Sequence, residues 1–310
     1  MSMLRRAAVA ATAVCAVTTT VLVGGGLATA APAVVNGDLA FSEFAAVVTQ
    51  APLESDYHFA AEGSNAKYSP DGRRIAYTSS NGAVGYGIIV KTLGSGTQRQ
   101  VGTQPVSGLA WSPDGTSLVV ASGNQLLRVT VSTGAAAPIY TGGVPLRDPA
   151  WSPDGTRIAF TTGPRIQLVR PDGTGLRTFT AGGSANNHPD WSPDGTKIAF
   201  ITDRFVPAGG DTRAEAELVT LPRSGLGEPV RVSHRAFPKG LYYMGVAWSP
   251  DGRKIAALQF NATHLPNEED TDERFKVRGY LPDGSSSYSM TGPIYGDDGP
   301  EGLDWAPKVS

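Results

Sequence analysis

The 310-residue sequence is poor in the residues that most enzymes lean on. It has one cysteine, Cys15, and four histidines. Cys15 lies in an N-terminal segment that reads as an export signal, so the mature chain would carry no thiol. That excludes disulfides, a cysteine nucleophile and thiolate metal ligands. No GxSxG nucleophile elbow occurs, and no HExxH pair. Positive charge is not in excess either: 26 Lys and Arg face 28 Asp and Glu, a net charge of -2. Loss of Arg5 and Arg6 with the signal would take the mature chain to about -4. That balance, with no basic run, argues against a phosphate-binding surface and against nucleic acid as a partner.

Long apolar runs are missing as well. Ala7 to Val23 is interrupted by Thr18, Thr19 and Thr20 and followed by Gly24, Gly25 and Gly26. A membrane helix wants about 20 uninterrupted apolar residues. Arg5 and Arg6 ahead of this stretch, and Ala28-Thr29-Ala30 after it, fit a secretory signal cut before Ala31. Val14 before Cys15 does not suit a lipidation site. Residues 1–30 are therefore expected to be a signal peptide and 31–36 a short linker. The product is expected to be secreted or held in the cell envelope, with no membrane insertion after cleavage.

What the sequence has in quantity is one sentence repeated. Trp-Ser-Pro-Asp-Gly heads copies at Trp111, Trp151, Trp191 and Trp248, and Tyr68 heads a fifth. A worn sixth copy begins at Trp305. The spacings are 43, 40, 40, 57 and 57 residues. A period near 40 residues made of short apolar runs marks a propeller or array. Within the copy at Trp151, Ser-Pro-Asp-Gly has the chemistry of a tight turn, with Pro setting φ and Gly taking the left-handed position. Strand A ends at Trp151, strand B follows in RIAFT, strand C in RIQLV (Arg165 to Val169) and strand D in LRTFT (Leu176 to Thr180). Four antiparallel strands per 40 residues make one blade.

Five blades complete themselves, from Tyr68, Trp111, Trp151, Trp191 and Trp248. Trp305 starts a strand A with nothing after it. Gly37 to Phe44 reads as the missing strand B, and Asp56 to Asn65 as strand C with its turn. The expected fold is an all-β, six-bladed β-propeller over 37–310, closed by pairing of the N- and C-terminal strands. The WSPDGxxIAF copies, AFITDR (Ala199 to Arg204) and RPDGTG (Arg170 to Gly175) resemble the WD40-like PD40 repeat of the TolB propeller family. The resemblance implies this fold. It leaves function open, because the repeat also decorates peptidases, lyases and binding proteins.

Function is sought where the repeat is broken. The five aspartates of the turns and the repeat aromatics are read as structural. The extra length of blades four and five falls in 203–216, 261–274, 233–245 and 292–302. All four are B–C or D–A connections and share one face. Long connections on a rigid scaffold are where binding residues sit. That face is expected to carry Arg204, His234, Arg235, Tyr242, Tyr243 and His264. Arg147, Asp148, Asn187, His188 and Glu301 are placed at the mouth of the central channel. The histidines lie in separate loops without ligand spacing, so neither metal nor cofactor is expected. The reading is a monomeric, non-enzymatic scaffold for a protein or peptide. The alternative is a carbohydrate-active lyase or hydrolase using His188, His234 or His264.

Overall fold

The computed structural model describes residues 36–43, 46–50, 58–79, 87–180, 185–206, 210, 216–233, 241–261, 275–290 and 301–307. All lie in one compact unit, Val34–Ser310. The export-signal expectation falls outside these residues. The chain opens with β1 (Asn36–Glu43), β2 (Ala46–Gln50) and β3 (His58–Glu62). Blade one follows as β4 (Ser64–Tyr68), β5 (Arg74–Ser79), β6 (Gly87–Thr92) and β7 (Gln98–Gly102). Blade two is β8 (Leu109–Trp111), β9 (Ser117–Ser122), β10 (Gln125–Thr130) and β11 (Ala136–Thr141). Blade three is β12 (Leu146–Trp151), β13 (Ile158–Thr162), β14 (Arg165–Val169) and β15 (Arg177–Thr178). Blade four is β16 (Asn186–Trp191), β17 (Lys197–Thr202), β18 (Glu217–Pro222) and β19 (Val230–Arg231). Blade five is β20 (Leu241–Trp248), β21 (Ile255–Asn261), β22 (Phe275–Tyr280) and β23 (Ser287–Ser289), and β24 (Glu301–Pro307) ends the chain.

The expected count of six blades is corrected here. Five blades are present, each an antiparallel sheet folded from one stretch of chain in the order A-B-C-D. The remaining four-stranded sheet is not a further copy but a composite, ordered β24-β1-β2-β3. In it Leu39 pairs with Trp305 and Phe41 with Leu303. The repeat encodes only five complete sets of strands, and the two chain ends supply the rest. The strand assignment near the N-terminus also shifts. The third strand of the composite is β2, not Asp56 to Asn65. His58–Glu62 forms the outermost strand, and Ser64–Tyr68 already belongs to blade one. Gly63, at φ +153, makes the break between them: a Cβ there would lie 2.2 Å from the Thr78 carbonyl oxygen.

The Ser-Pro-Asp-Gly turns close as their chemistry requires. In blade three the Gly155 N–H donates to the Ser152 carbonyl at 2.9 Å, and the Ser152 hydroxyl donates to Asp154 Oδ1 at 2.7 Å. Asp154 Oδ1 also accepts the Thr156 N–H at 2.9 Å. The same bonds recur at Asp71, Asp114, Asp194 and Asp251. Each carboxylate therefore serves its own turn, and each glycine sits at φ between +66 and +72.

The innermost strands β4, β8, β12, β16, β20 and β24 touch in that order and return to β4, around a central channel. Apolar clusters fill each gap between sheets. Ala150, Leu168 and Phe179 of blade three pack on Trp191, Ile198 and Phe200 of blade four. Leu39, Leu303 and Trp305 of the composite pack on Ala256, Leu258 and Val277 of blade five. Burying each Leu, Ile, Val or Phe of these clusters stabilises by about 1.5–3 kcal/mol. Two of the repeat tryptophans reach across these gaps, and Trp305 bonds within the composite sheet. The Trp111 indole donates to the Lys67 carbonyl at 2.9 Å, Trp191 to Ala150 at 3.2 Å, and Trp305 to Gly37 at 2.9 Å.

Candidate functional site at the channel mouth

In four of the five blades the innermost strand bulges at or next to the third residue before the repeat aromatic. Register shifts fall at Ser64/Lys67, Arg147/Ala150, Asn187/Asp190 and Tyr243/Gly245. The residues at that position are Asn65, Gly108, Asp148, His188, Gly245 and Gly302. Asn65, Asp148 and His188 hold φ of 54°, 49° and 51° and are the positive-φ residues other than glycine among the described residues. Such a backbone costs a side chain of order 1–2 kcal/mol. In three blades a polar group stands where the others keep glycine.

These residues meet in one cavity of about 420 Å³ at the channel mouth. Its polar wall includes Asn65, Lys67, Ser107, Asp148 and His188, and its apolar wall Leu109, Met244, Val246 and Leu303. His188 Nδ1 lies 3.4 Å from Asp148 Oδ1, and the His188 N–H donates to Asp148 Oδ2 at 3.4 Å. Burial opposes the Asp148 charge, but attraction to His188 and hydrogen bonds from it prevail and hold the carboxyl at about 2. Two of the expected site residues are thereby brought together across a blade boundary.

Deeper in the channel lie groups that the expected set did not include. Lys67, Asp190 and Asp304 share the position one residue before the repeat aromatic, where blades two, three and five have alanine. Asp190 Oδ2 accepts the Trp248 N–H, and Asp304 Oδ2 the Tyr68 N–H, both at 2.6 Å. Each carboxylate thus ties one sheet to the next. Lys67 Nζ donates to the Leu303 carbonyl at 2.6 Å and stands 3.8 Å from Asp304. Burial pushes Asp190 up to about 6, with Lys67 and the Trp248 bond pulling against it and Asp304 adding to it. Burial raises Asp304 as well, against Lys67. A blade-by-blade comparison of this one repeat position would have found all three.

The other expected residues are dispersed. Arg147 is exposed in β12, and Asn187 in β16 has a buried Oδ1 without a hydrogen-bond partner. Arg204 pairs with Glu228 at 3.1 Å and covers Phe205. Tyr242 and Tyr243 belong to β20 rather than to a loop. Tyr242 packs on Phe260, and the buried Tyr243 shares a hydroxyl contact with Tyr280 at 3.2 Å. Glu301 begins β24. His234, Arg235 and His264 lie outside the described residues. Among the described residues, no three His, Cys, Asp or Glu side chains are grouped as metal ligands.

Residues 64–206 match the family model described as PD40, TolB beta propeller domain. No curated protein sequence matches. Among solved structures, TolB from Acinetobacter baumannii is similar at a TM-score of 0.67 and 17% identity, over 88% of this chain and 67% of that one. A putative TolB from Agrobacterium tumefaciens is similar at 0.61 and 18%, over 87% and 98%. An oligogalacturonate lyase in complex with manganese is similar at 0.53 and 16%, over 82% and 71%. At these identities the likeness is one of fold.

Proposed function

This chain carries a TolB-like propeller domain of the PD40 type, and from that premise we propose that it is a non-enzymatic scaffold, exported from the cytoplasm, that binds a protein or peptide. Binding is through the face that holds the channel mouth and the long connections of blades four and five. The observation that carries this reading is the cavity of about 420 Å³. It is large enough for a few residues of an inserted segment, and its walls are part apolar and part polar, as in sites that grip apolar side chains and orient them by a few polar contacts. Paying for a left-handed backbone at Asn65, Asp148 and His188 makes sense where those side chains must face an occupant.

The second reading, a lyase or hydrolase acting on carbohydrate, draws on the same pair. A histidine oriented by a carboxylate is equipped to move a proton. One variant separates the two. Asp148→Asn/His188→Asn removes the pair while keeping residues that tolerate φ > 0. Affinity capture from the native envelope or secretome is followed by titration of each identified partner. We expect at least a tenfold loss of affinity in the variant, with an unchanged melting profile. Equal affinity would overturn the assignment of the mouth as the binding site. Polysaccharide cleavage by the intact protein, lost in His188→Asn, would establish the enzyme in its place.

A further inference from the structure

The opposite face, where the Ser-Pro-Asp-Gly and C–D turns lie, carries a cluster that neither reading uses. Arg128 lies in strand C of blade two, Arg157 immediately precedes strand B of blade three, and Arg170 and Arg223 stand in the C–D turns of blades three and four. These four line a surface cavity of about 500 Å³, together with Thr156, Pro171 and Asp172. They are far apart in the sequence, and the fold brings them together.

The guanidinium groups crowd one another. A Cβ on Gly175 would lie 2.8 Å from Arg170 Nη1 and 2.9 Å from Arg157 Nη1, so two of them converge over one glycine. Arg177, beside them, has its pKa lowered by burial and then by the charges of Arg157 and Arg223. Few acids answer this charge. Asp154 pairs with Arg223 at 2.5 Å. Asp172 accepts the Thr174 N–H and hydroxyl of its own turn. Among the described residues, these five arginines and two carboxylates leave a local excess of three positive charges, in a chain whose net charge is -2.

Nor are the donors spent. Arg157 gives one bond to the Gly175 carbonyl at 3.2 Å and Arg170 one to Thr174 Oγ1 at 3.3 Å. Arg128 covers the Trp151 ring at 5.4 Å, which fixes its plane. Its Nη2 reaches the Pro171 carbonyl at a long 3.4 Å, and its Nε is buried with no hydrogen-bond partner. An arginine presents five donors in a rigid fork. Most of those at this cavity have no acceptor among the described residues.

We infer that this cavity on the turn face is a binding site for an oligophosphate, a ligand bearing two or more linked phosphate groups. Planar forks suit phosphate oxygens bidentately, and the charge excess of three asks for more than one carboxylate can supply. The volume fits a short phosphate chain. The site is separate from the channel mouth, so both can be filled at once.

Inorganic tripolyphosphate is the probe, titrated calorimetrically into the intact protein at low salt, with orthophosphate and trigalacturonate as comparison ligands. Tripolyphosphate is expected to bind at least tenfold more tightly than either, and binding is expected to weaken as salt rises through 0.2 M. Arg157→Gln/Arg170→Gln is expected to weaken it at least tenfold. Both side chains sit at the surface and make one bond each, so the melting profile should be retained. Arg128→Gln is a second, independent variant with the same expected loss. The mouth variant Asp148→Asn/His188→Asn is expected to bind tripolyphosphate as the intact protein does. Absence of millimolar binding by the intact protein would overturn the inference. So would equal binding by folded arginine variants, or tighter binding of trigalacturonate, which would make the site one for uronate chains.

Discussion

Asp190 illustrates how much one buried carboxyl can set. It ties blade four to blade five through the Trp248 N–H, and burial raises it to about 6, against about 3.9 in an unfolded chain. A carboxyl raised on folding holds its proton more tightly in the folded state. Its contribution is therefore fully present below pH 4 and is lost as pH rises through 6. Melting temperature is expected to rise between pH 7.5 and pH 5. In Asp190→Asn, which keeps an acceptor for the Trp248 N–H, that rise is expected to shrink and stability at pH 7.5 to increase, by about 2–3 kcal/mol at most. Calorimetry at the two pH values decides it, and an identical pH slope in both proteins would refute the assignment. Asp148, held at about 2, acts with the opposite sign and only below pH 4, so the two do not overlap.

At the scale of the element, turns were legible and bulges were not. Ser, Pro, Asp and Gly write a turn into four consecutive positions, and the hydrogen bonds that follow are local. The repeat tryptophans announced strand ends for the same reason. Asn65, Asp148 and His188 depend instead on a bulge set by pairing with the neighbouring strand, and nothing in the adjacent residues signals it. β2 and β3 lie between connections with no Ser-Pro-Asp-Gly marker, which is how the outer strands of the composite came to be misplaced. Turn glycines also differ among themselves. Gly155, at φ +72, has open space around it, whereas a Cβ on Gly173, at φ +83, would lie 2.4 Å from the Ile139 carbonyl oxygen of blade two. Gly155→Ala is expected to cost about 1–2 kcal/mol of backbone strain alone. Gly173→Ala is expected to cost at least twice that, because a backbone atom must also move. Urea unfolding of the two variants measures both, and equal losses would contradict the contact at blade two.

For the molecule as a whole, five blades could be counted from the repeat because each copy is complete within itself. The composite sheet could be guessed only from a missing strand, and its inner order had to come from the pairing. The arginine cluster was hidden by averaging: a net charge of -2 says nothing about five guanidinium groups gathered from residues 128 to 223. The composite also bears the mechanical load of closure. Trp305 is buried between it and blade five and bonds to Gly37. Deleting 305–310 is expected to broaden the thermal transition and lower its midpoint by 10 °C or more, since about 2–4 °C is lost per kcal/mol in a chain of this size. A sharp transition at the original temperature would show that β24 does not hold the sheets together.

That closing bond has a consequence for how the protein is made. Trp305 and Gly37 are 268 residues apart. A ribosome adding roughly 5–20 residues per second takes on the order of 10–50 s to cover that distance. Throughout that time the inner edge of β1, the one that β24 pairs with, stands open, a row of unpaired backbone donors and acceptors. Residues 301–307 cover it only after all five blades have been synthesised, so the nascent chain needs its first strands shielded until then.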